Sequence, residues 1–132
     1  ALAEEISKRA KRAGYVQDIL VELNIGREES KSGVMPEALD GFFDRIADFD
    51  GINPLGLMTI APFTDNPEDN RIYFKKLKQL SVDIMHKNID NIKMNTLSMG
   101  MTGDYEVAVE EGATFVRVGT GIFGERDYTK NI

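Results

Sequence analysis

Hydrophobic residues along this 132-residue chain repeat with two alternating periods, one typical of strands and one typical of helices. Short apolar runs predict β-strands over 18–25, 55–60, 95–101 and 114–120. Stripes at helical spacing predict helices over 1–13, 36–49, 65–88 and 102–111. Because helices and strands alternate, the pattern predicts an α/β fold of about four βα units around a mainly parallel sheet.

Residues that start or stop helices lie at the expected ends of these segments. Gly14 and Gly112 follow helical stripes, where glycine commonly ends a helix. Pro36 and Pro67 stand at first helical positions, and Asn66 can cap the helix that Pro67 opens. The first helix has no capping residue before it, so we expect it to be entered from upstream.

Alternate side chains of a strand point to opposite faces, and here the two faces differ in polarity. The apolar faces carry Ile19, Val21, Leu23, Ile25, Leu97, Met99, Met101, Val116 and Val118. The other faces carry Leu20, Glu22, Asn24, Thr96, Ser98, Gly100, Phe115, Arg117 and Gly119. A doubly wound sheet needs two apolar faces, so the polar inner face favours a TIM-type (βα) barrel. Such a barrel takes about 250 residues, roughly twice this chain.

Composition narrows the classes of partner. A net charge of −6 argues against a nucleic-acid or anionic-membrane surface. The chain has no cysteine, and one histidine, His86, cannot form a zinc site by itself, so no metal site is expected. No apolar run reaches the roughly 20 residues that span a bilayer, and no signal-peptide pattern is present. We therefore expect a cytoplasmic protein with a small-molecule or protein partner.

Two neighbouring loops end in small and hydroxyl residues, SMGMT at 98–102 and GTG at 119–121. If a helix begins at Thr102, its free N–H groups and dipole favour an anion, and the GTG turn adds further amides. Barrels hold phosphate in this way, with loops that follow adjacent strands. The alternative is structural: Gly100 and Gly119 would only permit tight turns, and Thr102 would only cap a helix.

Arg117 is expected to point into the interior, because Val116 and Val118 face the helices. A buried cation without a partner is costly. Its partner is either Glu22 or another inward carboxylate, or an acceptor atom of a ligand.

Three segments carry a family resemblance: LSMGMTGDYEVAVEEGATFVRVGTGIFGER, LNIGREESKSGV and GLMTIAP. They resemble the pyridoxal phosphate homeostasis protein family (YggS/PROSC), which is similar to the barrel of the alanine racemase N-terminal domain. The resemblance implies that residues 1–132 form a single partial domain, the C-terminal half of a TIM-type barrel whose N-terminal half is absent from this chain. It also implies that the cofactor phosphate is held by Ser98, Gly100, Met101, Gly119 and Thr120, with Thr102 where serine is common.

The resemblance further implies a binder and carrier of pyridoxal 5′-phosphate (PLP) rather than an enzyme. Arg117 would face the pyridine nitrogen and keep it unprotonated, which weakens the electron sink that racemisation needs. The implied partners are PLP and PLP-dependent apo-enzymes, and phosphate or sulfate could occupy the site in this chain. Two other readings stay open: a fragment of a phosphate-binding TIM-barrel enzyme, and a small α/β interaction domain.

The chain departs from the family in one important respect. The family's Schiff-base lysine lies in a Val-Ser-Lys string that does not occur here, and Lys31, in ESKSG, resembles a different part of the pattern. Without the missing strands, Leu20, Leu57 and Phe115 are expected on an uncovered inner face. We therefore expect self-association or binding to a missing N-terminal fragment.

Overall fold

The computed structural model describes residues 1–130, so the last two residues of the predicted 1–132 domain lie outside the described residues. In chain order the main elements are α1 Leu2–Ala13, β1 Gln17–Glu22, α2 Leu39–Ile46, β2 Ile52–Met58, α3 Arg71–His86, β3 Thr96–Met101, α4 Tyr105–Glu110, β4 Phe115–Arg117 and α5 Thr120–Phe123. Short 3-10 helices precede α2 (Pro36–Ala38) and α3 (Pro67–Asn70), and another spans Tyr128–Lys130.

The four strands form one parallel sheet in the order β1-β2-β3-β4, as the alternating pattern predicted. One face of the sheet packs against the helices. The core residues that are at most 1% exposed include Leu23, Leu39, Phe43, Leu57, Phe74, Leu77 and Met99. The opposite face carries Leu20 and Phe115, which are 36% and 62% exposed. β1 and β4 lie at the two edges of this sheet.

Four of the residues predicted to mark helix ends are confirmed in that role. Gly14 ends α1 in the left-handed region at φ 80°, and Gly112 follows α4 at φ 104°. Pro36 opens the 3-10 helix before α2. Asn66 accepts the Glu68 N–H through its side chain, which caps the 3-10 helix before α3.

The strand boundaries differ from the predicted ones by a few residues, and β2 contains an irregularity. Ile19 pairs with Pro54 but Leu20 pairs with Gly56, so β2 has one extra residue at this point. Beyond it the side chains change faces. The expectation that Leu57 lies on the uncovered face is therefore wrong: Leu57 is 0% exposed and belongs to the core.

A second irregularity, at Gly100, overturns the predicted faces at the end of β3. Gly100 has φ 95°, and the register between β3 and β4 shifts between Ser98 and Met101. Met101 is consequently 41% exposed and pairs with Arg117 instead of facing the helices. Gly100 packs against α4: an added Cβ would lie 2.6 Å from Ala108 Cβ.

The helical segments near the C-terminus also differ from expectation. α4 begins at Tyr105 rather than at Thr102, because residues 102–104 form a turn. α5 begins inside the GTG segment, at Thr120, and was not predicted. With six residues, α4 supplies a weaker dipole than the longer helix that was expected.

Among the described residues, no helix is long and apolar enough to cross a membrane. The described part of the chain likewise contains no group of three or more His, Cys, Asp or Glu residues arranged to hold a metal ion. The cytoplasmic location stays a prediction.

Candidate functional site

A cavity of about 890 Å³ lies where the loops after β2, β3 and β4 meet. Its walls are formed by 60–64, 101–104 and 116–120, together with Lys31, Asn70, Phe123, Gly124 and Arg126. All three loops follow the carboxyl ends of parallel strands, the edge at which functional groups of βα proteins gather.

The loops after β3 and β4 are joined by one hydroxyl. The Gly121 backbone N–H donates to Thr102 Oγ1 at 3.1 Å, and the Thr120 hydroxyl donates to the same oxygen at 3.3 Å. Since Thr102 Oγ1 accepts both bonds, its own hydrogen stays available for a further acceptor.

Backbone amides add to this donor set. In the part of the chain that is described, the N–H groups of Thr102, Gly103, Gly119 and Thr120 make no hydrogen bond to another protein group. An N–H group without a protein acceptor needs water or a ligand as its partner. Together the two loops present hydroxyl and amide donors, which suit an oxyanion such as phosphate.

Arg117 is held by two neutral oxygens. Its Nη1 donates to Ser98 Oγ, and its Nη2 donates to the Thr59 carbonyl oxygen at 2.7 Å. Burial lowers the pKa of the Arg117 guanidinium, and the attraction of the Asp104 and Glu22 carboxylates opposes that shift. The predicted inward placement of Arg117 is confirmed, and the partners its side chain bonds are Ser98 and Thr59 rather than Glu22.

One backbone amide beside the turn after β3 is hydrogen-bonded to a side chain of that turn. The Met101 N–H donates to Asp104 Oδ1 at 2.7 Å, so this amide is already engaged. Asp104 Oδ2 accepts Asn70 Nδ2 at 2.8 Å. Neither Asn70 nor Asp104 was predicted from the sequence to belong to the site. The spacing Met-hydroxyl-x-Asp was the available signal for Asp104, but its buried partner lies 34 residues away.

The structure thus sorts the seven predicted site residues into two groups. Met101, Thr102, Arg117, Gly119 and Thr120 line the cavity. Ser98, which is 5% exposed, lies behind Arg117, and Gly100 lies against α4.

Lys31 reaches the same cavity from the loop after β1. The buried side chain of Asn24 holds that loop by bonding the Glu28 N–H and the Glu28 carbonyl oxygen. The Lys31 ammonium contacts Glu28 Oε2 at 2.5 Å and donates to the Ala61 carbonyl oxygen at 3.2 Å. Lys31 was not among the residues predicted for the site, although the structure places it on the cavity wall.

Residues 1–127 match the family model described as alanine racemase, N-terminal domain. The chain belongs to this family. The resemblance to pyridoxal phosphate homeostasis proteins is also confirmed, since curated relatives of this chain carry that name.

Three comparisons with similar proteins are informative. The pyridoxal phosphate homeostasis protein of Aquifex aeolicus is 50% identical over 96% of this chain and 55% of its own length. A crystal structure of an unknown protein from Bifidobacterium adolescentis is 41% identical with a TM-score of 0.86, covering 92% of this chain and 49% of that one. PipY of Synechococcus elongatus with PLP bound is 27% identical with a TM-score of 0.81, covering 93% and 56%. The chain therefore spans about half the length of these relatives.

Proposed function

We propose that this chain forms part of a PLP-binding protein that holds and delivers the cofactor without catalysing a reaction on it. The observation that carries the proposal is the junction of two donor-rich loops at Thr102 beside the Arg117 guanidinium. The relatives named pyridoxal phosphate homeostasis proteins and the PLP-bound PipY structure support it.

The donor set fits the phosphate group of PLP. The Thr102 hydroxyl and the amides of Gly119, Thr120 and their neighbours would bind the phosphate oxygens, while the Thr120 hydroxyl orients Thr102 by donating to its oxygen. Met101 would contribute its side chain to the wall, because its N–H is bound to Asp104. Ser98 and Gly100 would act from behind, by holding Arg117 and by letting α4 pack closely.

Arg117 would face the pyridine nitrogen. When bound, PLP supplies an electron-poor ring that can stabilise a carbanion. Arginine remains protonated, so it can only donate to the ring nitrogen and keeps that nitrogen unprotonated. Ser98 and the Thr59 carbonyl fix the guanidinium from the protein side. Arg117 would thereby disfavour racemase chemistry and favour reversible holding of the cofactor.

We further infer that residues 1–132 are a partial domain, the C-terminal half of a TIM-type barrel. Three features support this: the four parallel strands, the exposed face with Leu20 and Phe115, and relatives about twice as long as this chain. In this view the other half brings the Schiff-base lysine and covers the open face. PLP-dependent apo-enzymes are the proposed recipients of the cofactor.

Binding of PLP should be compared with binding of pyridoxal, which lacks the phosphate, by equilibrium dialysis. We expect PLP to bind at least about tenfold more tightly, as charge-assisted hydrogen bonds to phosphate require. Equal affinities would contradict the proposed phosphate site. Phosphate binding without preference for PLP over a sugar phosphate would favour a barrel-enzyme fragment, and no anion binding at all would favour an interaction domain.

The carrier role is tested separately by alanine racemisation in the presence of PLP. We expect turnover well below ordinary enzyme values of about 1 per second. A rate at or above that level would show that the protein is an enzyme.

A further inference from the structure

Asn70 is a buried amide that joins two of the loops around the cavity. It is 2% exposed and lies at the end of the 3-10 helix before α3. Its Nδ2 donates to the Pro62 carbonyl oxygen at 2.9 Å and to Asp104 Oδ2 at 2.8 Å. An amide nitrogen carries two hydrogens, so both are used by the protein. Pro62 belongs to the loop after β2, and Asp104 belongs to the loop after β3.

Asp104 closes the turn that presents Thr102. Its Oδ1 accepts the Met101 N–H at 2.7 Å, and its own backbone N–H donates to the Met101 carbonyl oxygen at 3.2 Å. Thr102 and Gly103 lie between these two bonds, so their orientation depends on where the Asp104 carboxylate is held.

The same carboxylate would repel an anion if it turned toward the cavity. Asp104 lies on the cavity wall, close enough to Arg117 to act on its charge. Each carboxylate oxygen is instead engaged by an N–H group, Met101 on one side and Asn70 on the other. These two bonds stabilise the negative charge and keep it directed at the protein.

We propose that Asn70 is a positioning residue for the anion site, because it fixes Asp104 and thereby orients the Met101–Asp104 turn. The inference rests on the proposed function, in which Thr102 and its neighbours bind phosphate. Asn70 acts through Asp104, and it donates both of its amide hydrogens to protein acceptors.

A double-mutant cycle with inorganic phosphate as the probe tests this, with affinity measured by titration calorimetry. Asn70→Leu should weaken phosphate binding about tenfold, the loss that one or two strong hydrogen bonds imply. In an Asp104→Asn background the same change should alter affinity by less than about twofold, because the charge that Asn70 directs is gone.

Asn66→Ala is the matched control. It removes the cap at the other end of the same 3-10 helix, where Asn66 Oδ1 accepts the Glu68 N–H alone among the described residues, and should leave phosphate affinity unchanged. Amide hydrogen exchange gives a second readout: the Met101 N–H should exchange faster in Asn70→Leu and at the normal rate in Asn66→Ala. If the leucine variant fails to fold, Asn70→Ala takes its place.

The outcomes separate the two proposals. If the unmodified protein binds phosphate and Asn70→Leu binds it equally well, the role of Asn70 is wrong and the proposed function stands. If the loss of affinity in the double variant equals the product of the losses in the two single variants, Asn70 does not act through Asp104. If the unmodified protein binds no phosphate, the proposed function fails, and the role of Asn70 fails with it.

Discussion

The Gly121 backbone N–H donates to Thr102 Oγ1 across 3.1 Å, and this bond ties the loop after β4 to the loop after β3. The two residues are 19 positions apart in the chain. One hydroxyl therefore links two loops whose amides must face the same space if they are to hold one phosphate group.

Replacing Thr102 with valine should weaken binding of inorganic phosphate about tenfold, because the shape is kept while the bridging oxygen and its hydrogen are lost. Titration calorimetry measures the change. Thr129→Val is the control, since the hydroxyl of Thr129 bonds Asp127 in a turn that does not line the cavity. Equal phosphate affinity in Thr102→Val and the unmodified protein would exclude Thr102 from the site.

Gly100→Ala should destabilise the fold by about 1–3 kcal/mol, because the residue is at φ 95° and its new Cβ would lie 2.6 Å from Ala108 Cβ. Urea unfolding measures this loss. Gly103→Ala, three residues along, places its Cβ where no described residue other than its chain neighbours lies within 4 Å, and should change stability by less than about 0.5 kcal/mol. Similar losses in the two variants would show that α4 does not pack on Gly100 as described.

Acid should destabilise the protein through the cluster around Arg71, which contacts Glu68, Glu110 and Glu111. The hydrogen bond from Arg71 holds the pKa of the Glu68 carboxyl below its ordinary value of 4.5. A lowered pKa in the folded state means that the contribution is present above pH 4.5 and is lost as the pH falls through the folded value.

The urea concentration at the unfolding midpoint should therefore decrease as the pH is lowered below about 4.5. In Arg71→Met this decrease should be less steep. Arg45→Met removes an exposed arginine from α2 and is the control for the change in net charge. If Arg71→Met keeps the full acid sensitivity of the unmodified protein, the cluster makes no contribution to it.

The 132-residue chain by itself should associate through its open sheet face. Phe115 is 62% exposed on the edge strand β4, and Leu20 is exposed on the other edge strand. In sedimentation experiments, Phe115→Ser should shift the chain toward the monomer. Ile72→Ser removes a similarly exposed side chain, 68% exposed on α3, and should have no effect. A stable monomer of the unmodified chain would contradict this expectation.

Much of the fold could be predicted because it depends on neighbouring residues. Apolar spacing, Pro36 and Pro67 at helix starts and Gly14 and Gly112 at helix ends act within one or two turns of chain. The meeting of the two loops of the candidate site could also be predicted, since the strands before them are adjacent and parallel. Leu57 and Met101 were assigned to the wrong faces, because strict alternation fails wherever the register shifts.

The sequence by itself determined the order of elements, the parallel sheet and the pair of donor-rich loops, because helix capping and strand alternation are local properties. Only the tertiary structure decided which atoms bond to those loops and to the residues beside them. Arg117 donates to the Thr59 carbonyl oxygen, 58 positions away in the sequence, and Asn70 donates to Asp104, 34 positions away. Such contacts depend on register shifts and on the packing of α4 against Gly100, and no pattern within a short stretch of sequence specifies them.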